Sequence, residues 1–324
     1  MRHRWSRRRV LRGIVKFVVH DRQREAMTGR GVSVVDLGDG SAKRVLGERL
    51  HRTLTVTGFA RLRRPPQYDY ALIRACYDAA RAFFDLPESE LRKLYVPELK
   101  GERGYMPRRV ETAQGASRPD EKRYFSIGRE GASVHPNLWP SEHEAPGFRE
   151  LMTQCFGMFD RVMNELTDCL GMVIGVSRLA EGLLGGDSLW RIINYDALDG
   201  TEAPDAARSR AHRDASLLTL LPTATDTGLQ ILTNEEWVDV GGEPDELIVN
   251  AGDALSLVAQ AYGHHFPSTV HRVVNGTGAR RISAPFFGHV HRAFVLDPAS
   301  GLTEGEFLDR RLREIIGKDV AGKM

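Results

Sequence analysis

Two histidines and an aspartate in the C-terminal half of the sequence have the residue types and spacing of a metal-binding set. His212 and Asp214 stand two residues apart in SRAHRDASLLTLL, just before an apolar run, and His271 lies in the later segment STVHRVVN. Residues i and i+2 of a strand point to the same face, so His212 and Asp214 project together if this segment is a strand. Two imidazoles and one carboxylate on one face of a metal leave the opposite positions open, which is typical of non-haem Fe(II) centres.

A second pair, ten residues after His271, could bind a carboxylate. Arg281 and Ser283 in RRISAPFF are again two residues apart, so one face of a strand would carry both. A guanidinium fork beside a hydroxyl suits the distal carboxylate of a 2-oxo acid such as 2-oxoglutarate. An isolated His-x-Asp pair is most often two solvated loop residues. Two such i, i+2 pairs with a histidine between them are far more specific evidence for a functional site than either pair alone.

The composition is that of an ordinary globular protein with ample apolar material for a core. Of the 324 residues, 41% are hydrophobic and 27% are charged, and the formal net charge is +2. This balance does not indicate a nucleic-acid partner, and no apolar run reaches membrane-spanning length.

Cys76, Cys155 and Cys169 are far apart without a CxxC pair, which favours a reducing cytoplasm over a disulfide framework. We expect a cytoplasmic monomer or weak dimer with a small-molecule substrate and no nucleic-acid or membrane partner.

The N-terminal segment carries much of the excess positive charge. SRRRVLRG resembles a twin-arginine export signal, but such a signal needs an apolar stretch after its arginines. Lys16, His20 and Asp21 interrupt that stretch at once. We therefore expect a disordered basic tail at 1–30, or upstream sequence ahead of a true start at Met27.

Apolar spacing predicts helices in the N-terminal half. DYALIRACYDAARAFFDLP has apolar residues three and four apart and ends at Pro87, and a similar pattern predicts a helix over about 148–171. A short buried strand is expected at 32–38, and a helix followed by a strand in SAKRVLGERLHRTLTVTGFARL. A last amphipathic helix is predicted in EGEFLDRRLREIIGK.

After Leu189 the sequence consists of short apolar runs separated by Gly, Pro, Asn and Asp. The runs interpreted as β-rich are LWRIINY, LLTLLP, GLQILT, WVDV, ELIVNAG, ALSLVA, STVHRVVN and RRISAPFF. Their close spacing is typical of an all-β sandwich or barrel. We predict a mainly β fold with flanking helices, in which a double-stranded β-helix (jelly roll) core follows a helical N-terminal domain. The predicted divisions are a tail at 1–30, a helical domain at 31–185, a catalytic jelly roll at 186–296 and a C-terminal helix at 297–324.

Together these motifs resemble the isopenicillin N synthase-like branch of the Fe(II)- and 2-oxoglutarate-dependent oxygenases. The similarity runs through HRDASLLTLL, GLQIL, LIVNAGDAL, STVHRVVN and RRISAPFF, with looser matches in VSVVDL, GFARL, AFFDLP, GYMP and DEKRYFSIG. It covers about 32–287, which is most of the chain. The resemblance implies that His212, Asp214 and His271 are iron ligands and that Arg281 and Ser283 clamp 2-oxoglutarate.

The resemblance also implies residues around the pocket. Tyr195 in RIINYDAL stands where the family often has a tyrosine that assists the clamp, and Arg191 and Phe287 stand where relatives line the substrate pocket. Three residues depart from the family pattern, one of which is Val270 in place of a proline before HRVV. Asp196 replaces the usual proline after the tyrosine, and Arg213 replaces the frequent threonine inside the ligand motif. Asp196 and Arg213 predict an unusually polar pocket edge, so no relative's substrate can be carried over.

The implied activity is that of a dioxygenase that needs Fe(II), 2-oxoglutarate as cosubstrate and O2, with ascorbate as an optional reductant. Such an enzyme would hydroxylate a small molecule of secondary metabolism and release succinate and CO2. Desaturation, cyclisation or ethylene formation would use the same ligands. Two rival hypotheses are an Fe(II) oxidase that does not use 2-oxoglutarate and a non-catalytic jelly-roll binding protein. The second rival predicts a missing ligand or clamp residue, and the sequence lacks none of them.

Overall fold

The computed structural model describes residues 32–110, 120–131, 135–176, 178–198 and 208–316. The predicted basic tail at 1–30 and the alternative start at Met27 lie outside these residues. None of the helices in the described ranges is both long and apolar enough to cross a membrane.

The helices lie mainly in the N-terminal half of the chain. Their bounds are α1 Lys43–Thr57, α2 Tyr70–Phe84, α3 Glu88–Leu91, α4 Phe148–Ile174, α5 Leu179–Leu183, α6 Asp253–Ala261 and α7 Glu304–Ile316, with 3₁₀ turns at Arg92–Leu94 and Pro97–Leu99. Local sequence sets several of these ends. The Asp69 carboxylate accepts hydrogen bonds from the backbone N–H groups of Ala71 and Leu72 at the start of α2. Gly58 ends α1 with φ 70°, a left-handed conformation that glycine adopts without strain.

Two β-sheets form the centre of the fold. The strands are β1 Val34–Asp36, β2 Phe59–Arg63, β3 Gly104–Met106, β4 Arg123–Gly128, β5 Leu189–Tyr195, β6 Ser209–His212, β7 Leu218–Pro222, β8 Leu229–Thr233, β9 Glu236–Asp239, β10 Leu247–Ala251, β11 His271–Val273, β12 Arg281–Ser283, β13 Phe286–Gly288, β14 Val295–Asp297 and β15 Leu302–Thr303. The larger sheet has the order β1-β2-β10-β7-β13-β5-β4-β3, and β12 also pairs with β5. The smaller sheet has the order β6-β11-β8-β9, while β14 and β15 form a separate pair.

The two faces of the larger sheet bury different apolar layers. Along β5, Ile193 and Tyr195 belong to an inner cluster that also contains Ile231 and Val273 from the smaller sheet. Ile192 points the other way, into the cluster formed with the helices. This alternation follows from the two-residue period of a strand. The predicted jelly-roll core with flanking helices is confirmed.

The segment ALSLVA, predicted as β-rich, is instead part of helix α6. Asp253 stands in the first turn, where a carboxylate interacts favourably with the helix dipole. The buried residues Ala254, Leu255, Val258 and Ala259 recur at helical spacing. The strand prediction was wrong here because a short apolar run does not by itself distinguish a helix from a buried strand.

The region from 31 to 185 is not purely helical, because it contributes strands to the larger sheet. Strand β2 pairs with β10, and β4 pairs with β5 over six residues from Arg123 to Gly128. The sheet that carries much of the candidate site therefore draws on both sides of the predicted boundary at 185.

Candidate metal centre

His212, Asp214 and His271 meet between the two sheets. His212 ends β6 and His271 begins β11, and the two residues are directly paired across these antiparallel strands. Oδ1 of Asp214 lies 3.8 Å from Nε2 of His212 and 3.6 Å from Nε2 of His271. One candidate ligand atom from each residue lies within 4.8 Å of the others, and the described ranges contain no second such group of three. The structure thus brings the three predicted ligands together.

Backbone carbonyls orient both imidazole rings. Nδ1 of His212 lies 2.7 Å from the carbonyl oxygen of Arg210, and Nδ1 of His271 lies 3.1 Å from the carbonyl oxygen of Thr269. A carbonyl can only accept a hydrogen bond, so each Nδ1 carries the proton. The lone pair of each ring is therefore on Nε2, the atom that faces Asp214.

The buried Asp214 carboxylate is held by two side chains of the larger sheet. Its Oδ2 atom accepts hydrogen bonds from Oγ1 of Thr219 on β7, at 2.7 Å, and from Nδ2 of Asn250 on β10, at 2.9 Å. Oδ1 is the oxygen that faces the two imidazoles. The smaller sheet thus supplies both histidines, while the larger sheet orients the carboxylate.

The protonation states of His212 and Asp214 suit a divalent cation. Burial and the neighbouring His271 hold the pKa of His212 well below its ordinary value of 6.5. Burial alone would raise the pKa of Asp214, but the two histidines and the hydrogen bonds from Asn250 and Thr219 lower it below 3.8. At neutral pH His212 is therefore a neutral imidazole and Asp214 a carboxylate. This donor set fits Fe(II) and leaves coordination positions for other ligands.

Arg281 and Ser283 lie on the inner face of β12, beside Tyr195. Arg281 in β12 is the cross-strand partner of Tyr195 in β5. The guanidinium carbon of Arg281 lies 5.3 Å from the centroid of the tyrosine ring. All three residues are buried. Nε of Arg281 donates to the carbonyl oxygen of Asp226 at 3.1 Å. The structure thus also brings together the three residues predicted to hold 2-oxoglutarate.

One donor of the Arg281 guanidinium has no acceptor within the described chain. Its Nη1 atom is buried and makes no hydrogen bond there. Burial lowers the pKa of Arg281, yet arginine stays charged in proteins. A buried charge with an unused donor is costly unless an anion accompanies it. The site therefore fits a carboxylate such as that of 2-oxoglutarate.

Arg191 and Phe287, predicted to line a substrate pocket, are neighbours on the inner face of the larger sheet. The guanidinium carbon of Arg191 lies 4.1 Å from the ring centroid of Tyr124 and 5.7 Å from that of Phe287. Phe287 is paired with Thr219 across β13 and β7, and Thr219 hydrogen-bonds the Asp214 carboxylate. Phe287 therefore shares the face that carries this carboxylate.

Arg213 and Asp196, which depart from the family pattern, lie elsewhere. Arg213 is exposed, and its Nε donates to the carbonyl oxygen of Ser268 at 2.8 Å. The Asp196 carboxylate accepts from Nη2 of Arg123 at 2.9 Å, and the Arg123 guanidinium lies over the ring of Phe84 in helix α2. The structure does not bring Arg213 and Asp196 together as a polar pocket edge, because Arg213 is exposed and Asp196 is paired with Arg123 and Arg108.

Several residues around the centre were not identified from the sequence. Thr219 and Asn250 orient Asp214, and Asn250 had a signal: it is the one polar residue in the buried strand LIVNA. Buried polar residues in a strand need hydrogen-bond partners, so this residue could have been singled out. Arg208 and Asp226, which lie beside Arg281, had no comparable signal in the sequence.

Two family models match separate parts of the chain. The model described as the 2OG-Fe(II) oxygenase superfamily matches residues 189–290. The model described as the N-terminal part of a non-haem dioxygenase in morphine synthesis matches residues 32–142. The first range contains all three candidate metal ligands and the Arg281 clamp.

Similar proteins and structures agree with these matches. A 2-oxoglutarate-Fe(II) type oxidoreductase of Aspergillus fumigatus is 27% identical over 268 residues, 77% of each chain. A homoarginine-6-hydroxylase of Arabidopsis thaliana is 27% identical over 70% of this chain and 71% of that protein. A structure assigned to the 2OG-Fe(II) oxygenase family from Caulobacter crescentus superposes with a TM-score of 0.76 at 28% identity, covering 88% of this chain and 99% of that one. A Neurospora crassa protein in complex with alpha-KG and thymine has the same fold, with a TM-score of 0.76 at 23% identity over 88% of this chain and 97% of that one.

Proposed function

This chain belongs to the isopenicillin N synthase-like family of Fe(II)- and 2-oxoglutarate-dependent oxygenases, and from that premise we propose that it hydroxylates a small molecule at a centre formed by His212, Asp214 and His271. The observation that carries the proposal is the convergence of two imidazole Nε2 atoms and one carboxylate oxygen within 4.8 Å. The family uses Fe(II), 2-oxoglutarate and O2. These three donors would hold the iron.

Bound Fe(II) and 2-oxoglutarate supply the oxidising power: O2 and 2-oxoglutarate are consumed, one oxygen atom enters the substrate as a hydroxyl group, the other enters succinate, and CO2 is released. The residues of this chain supply orientation. Thr219 and Asn250 hold Oδ2 of Asp214, which keeps Oδ1 turned toward the histidines. The carbonyls of Arg210 and Thr269 hold Nδ1 of each imidazole and aim both Nε2 atoms at the same point.

Arg281, Ser283 and Tyr195 bind the distal carboxylate of 2-oxoglutarate in this proposal. The buried Nη1 of Arg281 provides a charge-assisted donor, and Ser283 on the same strand face provides a hydroxyl. The low exposure of both residues keeps water from competing for the carboxylate. A 2-oxoglutarate-dependent reaction uses this clamp, whereas the rival oxidase hypothesis leaves it to the substrate.

Arg191 and Phe287 would contact the substrate. A ring face and a guanidinium 5.7 Å apart suit a substrate with a flat or apolar body and an anionic or strongly polar group. The similar proteins and structures are described with different small molecules, including homoarginine and thymine. The substrate is therefore proposed here only by its chemical class.

The cysteines and the net charge bear on where the protein acts and on its partners. We propose that the protein acts in the cytoplasm, because Cys76, Cys155 and Cys169 are all unpaired and buried, as is common in reducing compartments. We propose that the protein is a monomer or weak dimer in solution. We also propose that it has no nucleic-acid or membrane partner, since the net charge of +2 favours neither kind of partner.

Succinate release tests the proposed reaction. Purified protein loaded anaerobically with Fe(II) is mixed with 2-oxoglutarate and O2, with and without a panel of aromatic and heteroaromatic carboxylic acids and their amides. We expect 2-oxoglutarate-dependent succinate formation that a panel compound increases. Oxygen consumption without any need for 2-oxoglutarate would support the oxidase, and no Fe(II) or 2-oxoglutarate binding would support the binding protein.

A further inference from the structure

The Arg281 guanidinium is oriented by a loop rather than by its own strand. Nε of Arg281 donates to the backbone carbonyl oxygen of Asp226 at 3.1 Å. Asp226 lies between β7 and β8, outside regular secondary structure. Strand pairing does not hold Asp226 in place. The position of its carbonyl oxygen therefore depends on the other contacts of this residue.

The Asp226 side chain is held from two directions. Its carboxylate accepts hydrogen bonds from the backbone N–H and the Oγ1 hydroxyl of Thr277, at 3.3 and 3.1 Å. Its Oδ2 atom lies 3.8 Å from Nη1 of Arg208. The approach of Thr277 requires a glycine beside it, because a Cβ atom on Gly276 would lie only 2.9 Å from Oδ2 of Asp226 and 2.8 Å from the carbonyl oxygen of Thr227.

Arg208 connects this loop to the clamp. Its side chain is 1% exposed, and its Nη2 atom donates to the carbonyl oxygen of Ala279 at 2.6 Å, two residues before Arg281. Its guanidinium carbon lies 6.0 Å from the ring centroid of Tyr195, the ring over which Arg281 lies at 5.3 Å. Arg208 thus contacts the Asp226 loop, the turn before β12 and the tyrosine of the clamp.

A buried arginine is destabilising when it serves only for packing, because the free energy of removing its charge from water is strongly unfavourable unless the charge is paired. An apolar side chain could pack the same volume without that penalty, so the charge calls for a role that packing does not provide. We propose that Arg208, acting through Asp226, is a positioning residue that sets the orientation of Arg281 and Tyr195 and thereby the affinity for 2-oxoglutarate. This inference rests on the proposed function of Arg281 as the 2-oxoglutarate clamp.

The test measures 2-oxoglutarate binding directly, by isothermal titration under anaerobic conditions to protein loaded with Mn(II), together with the affinity for Mn(II) itself. We expect Arg208→Met to weaken 2-oxoglutarate binding about tenfold or more while leaving the Mn(II) affinity within about twofold. Arg208→Lys should restore part of the loss, because it keeps the charge near Asp226 but not the planar fork. In turnover, the KM for 2-oxoglutarate should rise more than kcat falls.

Two further variants separate positioning from packing. Asp226→Asn keeps the shape and the backbone carbonyl but removes the charge that pairs with Arg208, and it should weaken 2-oxoglutarate binding in the same direction. Arg129→Met removes another largely buried arginine, one that pairs with Asp160; it should lower the melting temperature without changing 2-oxoglutarate affinity.

Each outcome discriminates between the hypotheses. Wild-type 2-oxoglutarate affinity in a folded Arg208→Met protein would overturn the positioning role. If that variant does not fold, wild-type affinity in Asp226→Asn overturns it instead. If the wild-type protein binds Mn(II) but not 2-oxoglutarate, the proposed function fails together with the inference.

Discussion

His212 and His271 occupy directly opposed positions on neighbouring antiparallel strands, with their ring centroids 4.3 Å apart. This pairing joins a residue at the end of β6 to one at the start of β11, and it turns both Nε2 atoms toward Asp214. The strand register of the smaller sheet therefore positions two of the three candidate metal ligands without any side chain of the larger sheet.

Removal of the candidate ligands should abolish Fe(II) binding. His212→Ala/Asp214→Ala leaves one of the three donors, so we expect no specific Fe(II) binding in anaerobic isothermal titration and no succinate formation. Arg213→Ala, which alters the exposed residue between them, should bind Fe(II) like the wild type. Wild-type Fe(II) affinity in the double variant would show that the metal lies elsewhere.

Loosening the Asp214 carboxylate should weaken metal binding without removing a ligand. Asn250→Ala and Thr219→Val each remove one hydrogen bond to Oδ2. Loss of such a supporting partner typically costs about 10–100-fold in metal affinity or activity. Thr219→Ser keeps the hydroxyl and should bind Fe(II) nearly as well as the wild type. Equal affinities for Thr219→Val and Thr219→Ser would contradict the role of this hydrogen bond.

Arg281→Ala should impair 2-oxoglutarate binding selectively. Loss of a buried charge-assisted contact costs about 2–5 kcal/mol, which is about 30-fold or more in KM for 2-oxoglutarate. Fe(II) affinity should be nearly unchanged, because Arg281 is not among the candidate ligands. The measurement is succinate formation against 2-oxoglutarate concentration. An unchanged KM would assign Arg281 to the substrate, as the oxidase hypothesis requires.

Phe287→Ala should uncouple 2-oxoglutarate turnover from product formation. Phe287 faces the Asp214 side of the sheet, whereas its neighbour Phe286 is buried on the opposite face against Phe156 and Phe159. Phe286→Leu is therefore a matched control, which should lower stability but preserve the ratio of product to succinate. The check is that ratio, measured with the best panel compound. If Phe287→Ala reduces both rates equally, the residue acts only in packing.

Glu246 should make stability depend on pH. Burial would raise its pKa, but hydrogen bonds from the backbone N–H of Glu243 and from Arg61 and Arg63 lower it below 4.5. A carboxyl whose pKa is lower in the folded state stabilises the protein above its unfolded-state pKa. That contribution is lost as pH falls through the folded-state value.

Glu246→Gln should therefore lower the free energy of unfolding at pH 7 by about 1.5–3 kcal/mol, the usual contribution of hydrogen bonds to a charged group. The difference from the wild type should shrink as the pH falls below the unfolded-state pKa of about 4.3 and on through the lower folded-state pKa, where the wild-type carboxyl becomes protonated. Urea unfolding at several pH values measures this, with the exposed Glu243→Gln as a control. A difference that does not change with pH would contradict the ionic origin.

The sequence alone determined the pairs His212/Asp214 and Arg281/Ser283, the β-rich C-terminal half and the jelly-roll fold. Arg281 and Ser283 share one face of β12, as strand alternation predicts, so local spacing carries this information. Asp214 lies just after β6, which ends at His212, so the strand geometry expected for that pair was wrong although the two side chains still meet. The family resemblance then connected these pairs to Fe(II) and 2-oxoglutarate. Their individual roles in this chain are still predictions that the experiments above test.

Tertiary structure decided what local spacing cannot encode. It placed His271 opposite His212, made ALSLVA a helix, paired Asp196 with Arg123, and brought Asn250 and Thr219 to the Asp214 carboxylate. It also placed Arg208 and Asp226 beside the Arg281 clamp. Most of these contacts join segments that are far apart along the chain. Strand register and the packing of helices against the sheet set such contacts, because both depend on burial of apolar faces across the whole fold.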